Sequence, residues 1–380
     1  MKKANILLLA SLTCLLALGG CGKSNDNGST PSDSNTPNII VDDTDPGTTE
    51  DTVTPEPDDQ TSVEETKDGY IRSDLTNEWI DESLADSRPL AMMVPNNKTA
   101  LPQYNISRAG VIYECLAEGK ISRLLCVWDD WRDMERIGNI RSARAYYVYW
   151  ALEWDPIFCH FGQVLYADPI LNSDACDHLD GNKCPAGYGF YRVRDEGRIY
   201  EQTAYAATDM LIKACEYYNI SLTHTQYYTP NHWTFASEAD PETLTGYSNA
   251  TPCTYIDCSK AYPNDTPYFE YNEEDGLYYR YHFGEAHMDA ATNTQLAFKN
   301  VLIQYCDYTV LDEYDHLEYA INSKNSGYYI TNGMAIPVTW SKASDLAATK
   351  FYDADGNEIH LNTGKTMVCV VGSNTTVTLN

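Results

Sequence analysis

The sequence predicts an α+β protein. An N-terminal α/β layered domain is followed by an antiparallel β-rich domain, and both stand behind a disordered acidic tether. Three observations predict this. Residues 22–70 are Ser, Thr, Asn, Asp, Pro and Gly with almost no large apolar side chain, so they cannot bury enough surface to offset the entropy of ordering. Between residues 76 and 230, short apolar runs alternate with segments of helical length, the pattern of strands layered with helices. After about residue 231, paired short runs flank turns that end in glycine, the pattern of hairpins. The expected boundaries are 1–21 for a signal peptide, 22–70 for the linker, 71–230 for the α/β domain and 231–380 for the β-rich domain.

The N-terminus fixes a location. Lys2 and Lys3 precede an apolar run from Ile6 to Leu18, which closes on Gly19-Gly20-Cys21. This is a secretory signal of lipoprotein type. The run is about 13 residues, too short for a bilayer core that needs about 20. Cys21 is therefore the expected lipidation site, anchoring the chain to the extracytoplasmic face of a bacterial cell membrane. The linker carries 13 Asp/Glu against 2 Lys, a net −11 of the total −29. So acidic a chain repels nucleic acid and anionic headgroups, which excludes nonspecific nucleic-acid binding.

Folded sequence begins near Ile71 to Trp79. Strands are expected at Pro89–Val94, Val111–Leu116, Leu124–Trp128 and Ile157–Phe161, and helices at Ala143–Trp154 and Ala204–Tyr218. In the second half, Tyr268–Tyr271 and Leu277–Tyr281 flank Asn272-Glu273-Glu274-Asp275-Gly276 as a hairpin. Val301–Tyr305, Gly327–Ile330, Ala335–Trp340 and Met367–Val371 read as further strands. Thr349–Tyr352 and Ile359 flank a second hairpin through Asp353–Asn357. That turn resembles the start of a calcium loop, but Gly356 stands fourth where such a loop needs its glycine sixth.

Of 12 cysteines, ten remain after Cys14 and Cys21, an even number in an export setting that permits disulfides. Cys253 with Cys258, and Cys176 with Cys184, are the expected local bridges. A zinc site at Cys176, His178 and Cys184 lacks a second ligand pair at zinc spacing. No metal or cofactor is expected.

Residues 120–144 concentrate positive charge: Lys120, Arg123, Arg132, Arg136, Arg141 and Arg144. Guanidinium forks bind phosphate or carboxylate bidentately. Such a cluster is either a site for an external anion or is paired internally with acids such as Glu114 and Glu118. Arg141 and Arg144 lie three apart at the expected start of a helix, so they share a face. His287 and Asp289 lie two apart, on one face of an extended segment, as a base and its orienting carboxylate would. Cys159 and His160 are adjacent and point apart on a strand. The sequence holds no Gly-x-Ser-x-Gly elbow, P-loop or His-Glu-x-x-His.

An ordered series of motifs then matches a family. Tyr113-Glu114, Glu118-Gly119, Ser122-Arg123-Leu124-Leu125 and Ile137-Gly138-Asn139-Ile140-Arg141-Ser142-Ala143-Arg144 resemble the YerB-like lipoproteins. So do Tyr279-Arg280, His287-Met288-Asp289, Asn300–Gln304 and Thr339-Trp340-Ser341-Lys342 in the second half. The resemblance covers roughly residues 85–372 and implies a two-domain, membrane-tethered bacterial protein without implying an activity. The chain departs from it at Asn139, where a proline is common, and near Glu201–Tyr205. The residues and the resemblance together point to a non-enzymatic envelope lipoprotein that binds a protein or glycan in a cleft between the halves. The alternative is a phosphate-handling envelope enzyme that uses Arg123, Arg141 and Arg144 on a glycopolymer or lipid-linked substrate.

Overall fold

The computed structural model describes residues 66–194 and 196–380. The signal peptide, Cys21 and nearly all of the acidic linker lie outside them. The strands that position the site are, in chain order, β1 (Leu90–Pro95), β2 (Val111–Leu116), β3 (Ser122–Trp128), β4 (Ile157–His160), β5 (His178–Asp180), β6 (Thr251–Pro252), β7 (Tyr255–Asp257), β8 (Tyr268–Asn272), β9 (Leu277–His282), β10 (Asn300–Cys306), β11 (Lys324–Thr331), β12 (Met334–Ser341), β13 (Lys350–Tyr352), β14 (Thr366–Gly372) and β15 (Thr378–Leu379). The helices are α1 (Ala145–Leu152), the single turn α2 (Asp168–Leu171) and α3 (Thr208–Tyr218).

One mixed sheet of 11 strands runs through both halves in the order β6-β12-β11-β10-β14-β2-β3-β1-β4-β5, with β13 also on β12. The joint is β14. It lies parallel to β10 on one side, Ile303 opposite Cys369, and parallel to β2 on the other, Cys369 opposite Glu114. A second sheet places β9, β8, β7 and β15 side by side.

The apolar runs explain this arrangement. Every residue of β1, β3 and β14 is buried, as a strand covered on both faces requires. Alternate residues feed two cores. Ile112, Leu124, Cys126, Ile303 and Cys369 pack towards the second sheet and α3. Tyr113, Cys115, Leu125, Val127, Leu302 and Val370 pack on the other face, against α1. The α1 sequence AYYVYWAL buries six of its eight residues, so it is apolar nearly all round rather than amphipathic. Trp150 stacks on Tyr113 at 6.0 Å.

The molecule is mostly β, with its α-helices confined to residues 145–218 among the described residues. The N-terminal layering of helices on a sheet is therefore sparser than the sequence predicts. The run from Ala204 divides. Ala204–Ala206 is a strand between Phe190–Arg192 and Ile137–Gly138, and the helix starts only at Thr208. The hairpin through Asn272–Gly276 forms, with Gly276 at φ +70°. At Asp353–Asn357 the Asp353 carboxylate accepts from the amides of Asp355 and Asn357, both at 2.9 Å, in a closed turn.

The two expected disulfides are not present; all ten described cysteines are free thiols. Extended β7 separates Cys253 from Cys258. Five extended residues span roughly 16 Å, against the ~5.5 Å between Cα atoms that a bridge needs. Cys176 and Cys184 pack against opposite faces of the large sheet. Instead the Cys258 thiol lies within hydrogen-bonding reach of Cys369 on β14.

Candidate functional site

The sheet splits the predicted site residues into two groups. Ser122 and Arg123 are neighbours on β3, so they face opposite ways. In the β2–β3 register, Cys115 is opposite Arg123 and Glu114 is opposite Leu124. Glu114 therefore goes with Ser122, on the face towards the second sheet. Arg123 goes to the α1 face.

On the α1 face, Glu118 stands in the turn between β2 and β3 and holds two arginines. Arg123 Nη2 donates to its Oε1 at 2.7 Å and Arg144 Nε to its Oε2 at 2.8 Å, with Arg144 Nη2 closing the fork. The remaining donors reach backbone: Arg123 Nη1 to Ser142 O at 2.6 Å and Arg144 Nη1 to Ala143 O at 2.7 Å. The Arg123 and Arg144 side chains are 6 % and 5 % exposed, Glu118 30 %. Burial alone would raise the Glu118 carboxyl, but Arg123 and Arg144 outweigh it and hold it at about 2. Burial, with Arg144 beside it, pushes Arg123 down to about 10. Arg141 is half-buried nearby. Burial lowers its pKa too, while Glu118 and Glu201 act on it only at a distance. Its guanidinium has no hydrogen-bond or ion-pair partner among the described residues.

Arg144 is also the N-cap of α1, without a side-chain cap bond, and it opens onto a pocket of about 580 Å³. Both halves of the chain line this pocket. Tyr146, Tyr149 and Tyr166 come from one, Tyr308 and Tyr319 from the other, with Asp307, Glu318 and Asp345 among its polar groups. Tyr146 and Tyr319 form its floor, their ring centroids 4.8 Å apart. Tyr166 and, close by in sequence, Leu165, Val310 and Tyr314 are exposed.

On the other face, Glu114 belongs to a buried network. Arg280 Nη2 donates to Glu114 Oε2 at 2.8 Å and to Asp265 Oδ2 at 3.4 Å, and all three side chains are 0 % exposed. Asn96 Nδ2 bonds both carboxylates at 2.8 Å. Burial, and then the Glu114 charge, push Asp265 up to about 9. His287 joins through Arg280 Nη1 at its Nδ1, and its Nε2 reaches Gln103 Oε1 at 2.6 Å. The glutamine oxygen can only accept, so Nε2 carries the proton and the ring is neutral. Burial, His282 and Arg280 keep its pKa well below the usual range.

His287 and Asp289 do not pair. The Asp289 carboxylate accepts from the amides of Asn105, Ser107 and Ala291 and from the Ser107 hydroxyl at 2.6–2.9 Å, capping the turn at Ile106–Arg108. The reading of Glu114 as a partner for Arg141 and Arg144 is corrected in the same way, since Arg280 takes it. Arg280 and Asp265 were not among the predicted site residues. The signal lay in β9, Leu-Tyr-Tyr-Arg-Tyr-His, whose strict alternation buries Tyr278, Arg280 and His282. An arginine at an inward position needs a buried acid.

Residues 75–221 match the N-terminal domain, and residues 258–368 the C-terminal domain, of a family described as proteins of unknown function, DUF3048. YerB of Bacillus subtilis (strain 168), described as a candidate lipoprotein, is 25 % identical over 303 residues, 79 % of this chain and 86 % of that protein. The chain belongs to the YerB-like lipoprotein family. The crystal structure of Bacillus subtilis YerB has the same fold, with a TM-score of 0.69 at 24 % identity over 81 % of this chain and 99 % of that one. The two regions matched as separate domains of the YerB-like family meet in one sheet here, through β14. Among the described residues no helix is long and apolar enough to cross a membrane.

Proposed function

We propose that this YerB-like protein is a non-enzymatic binding protein, lipid-anchored through Cys21 at the extracytoplasmic face of the cell membrane, and that its ligand is a cell-envelope glycan. The observation that carries the reading is the tyrosine-walled pocket of about 580 Å³ between segments of the two halves. Its size suits an oligosaccharide unit. Tyrosine faces offer flat apolar area for sugar rings at little cost in side-chain entropy. Asp307, Glu318 and Asp345 can accept from sugar hydroxyls. Exposed Leu165, Val310 and Tyr314 beside the lining segments fit an interaction surface.

The enzymatic alternative draws on the arginine cluster, but the carboxylate within that cluster is held at about 2. A general base works best with a pKa near the operating pH, so Glu118 is a poor one. The test is calorimetric titration with soluble cell-wall oligosaccharides. Tyr149→Ala and Tyr166→Ala should each weaken binding about tenfold or more, the loss expected for a contact worth roughly 1.4 kcal/mol or above. Undiminished binding in both variants would place the ligand elsewhere. Cys21→Ala should move the protein from the membrane to the soluble fraction, because the thioether-linked lipid supplies the membrane affinity.

A further inference from the structure

The arginines beside the pocket carry a charge imbalance that the fold does not resolve. Glu118 is the one carboxylate bonded to Arg123 and Arg144, and both its oxygens are already engaged. Two nearly buried guanidiniums and a half-buried third therefore face a single negative charge. On a chain with 55 acidic residues against 26 basic ones, this local excess of two positive charges stands out. Holding a partly desolvated cation without a bonded anion is costly. The Arg141 fork is free to accept one, and Arg123 and Arg144 are already held in place by Glu118. Backbone geometry adds to this. Arg144 is the N-cap of the eight-residue α1 and provides no side-chain cap. Arg144, Ala145 and Tyr146, the residues at that end of the helix, all line the tyrosine pocket. The unpaired amides of a helix's first turn favour an anion.

We propose that Arg141, with Arg123 and Arg144 behind it, forms an anion subsite at the edge of this pocket, and that it takes the phosphoryl group of a sugar phosphate whose ring rests on the tyrosines. The inference deepens the glycan reading and rests on it for the sugar. The arginine part stands on its own geometry. A guanidinium fork matches two phosphoryl oxygens, and positive potential in a partly enclosed site concentrates an anionic ligand.

The test is calorimetry with four probes: N-acetylglucosamine 1-phosphate, N-acetylglucosamine, inorganic pyrophosphate and phosphatidylglycerol vesicles. The variants are Arg141→Ala and Arg141→Lys. Arg141 makes no side-chain bond within the fold, so both should melt as the wild type does, and a thermal scan checks this. The expected result is that the sugar phosphate binds at least tenfold tighter than the free sugar. Arg141→Ala should remove that preference and leave sugar affinity intact, while Arg141→Lys, a cation without the fork, should recover only part of it. Equal affinity for sugar and sugar phosphate in the wild type would overturn the subsite, and so would an unchanged preference in Arg141→Ala. If pyrophosphate binds through Arg141 while neither sugar probe does, the anion subsite stands and the glycan reading fails. Binding through Arg141 to the vesicles alone would overturn the assignment to a sugar phosphate.

Discussion

Asp265 and Glu114 are two carboxyl groups on one guanidinium in a site closed to solvent. They cannot both be charged without cost, and Asp265 yields, with its pKa near 9 against an ordinary 3.8. The folded state then holds a proton that the unfolded chain releases above about 4. Stability from this group is complete below the unfolded value and is lost as pH rises towards 9. Asp265→Asn supplies a neutral group of the same shape. It should flatten the fall in urea midpoint between pH 6 and 9, and at pH 8 be at least as stable as the wild type. A steeper fall in the variant would show that Asp265 is charged in the fold. Arg280→Met should cost about 3–5 kcal/mol in the same assay, because it leaves Glu114 buried and unpaired. These roles were only partly legible in the sequence. Arg123, Arg144 and Glu118 were visible as a charge cluster and do assemble. The placement of Glu114 with Arg280 depends on strand parity and on a partner 166 residues away, which local pattern does not contain.

The strands were legible as elements where apolar runs had clear polar bounds. Val111–Leu116 matches the predicted range, and the Tyr268 and Leu277 strands form the predicted hairpin. Ala204–Ala206 was read as helix because alanine favours helices, but tertiary pairing to two neighbouring strands overrides propensity there. The cysteine pairing failed for a related reason. Closeness in sequence is a poor guide once a strand keeps the chain extended between two positions. Cys258 meets Cys369, 111 residues on, with both at 0 % exposure. Treating the folded chain with a mild disulfide-forming oxidant such as diamide should therefore link Cys258 to Cys369. Peptide mapping after alkylation reads the pairing, and recovery of a Cys253–Cys258 peptide would contradict this geometry.

At the scale of the whole molecule, β14 decides the architecture. It comes from the C-terminal end of the chain and lies between β10 and β2, joining strands of both halves. A fragment ending at residue 230 would leave β2 as an exposed, apolar sheet edge, which invites aggregation. Such a fragment should lack a cooperative melting transition by circular dichroism, and adding a peptide that spans Thr366–Gly372 should at most partly rescue it. A sharp, independent transition would show that the N-terminal half folds alone. The pocket has the same origin, since its walls come from residues 144–169 and 307–345.

By itself, the sequence determined the export and lipidation signal, the acidic composition that disfavours nucleic acid, the strand-rich second half and the arginine cluster. Each of these is carried by neighbouring residues: an apolar run beside Cys21, a composition, a period of two, a local excess of charge. Only the tertiary structure decided which acid each arginine meets, which thiols face each other and where the tyrosines form a pocket. Those outcomes depend on strand order and register, set by burying apolar side chains on both faces of one sheet. The contacts that result join residues far apart in the chain, and no local pattern specifies them.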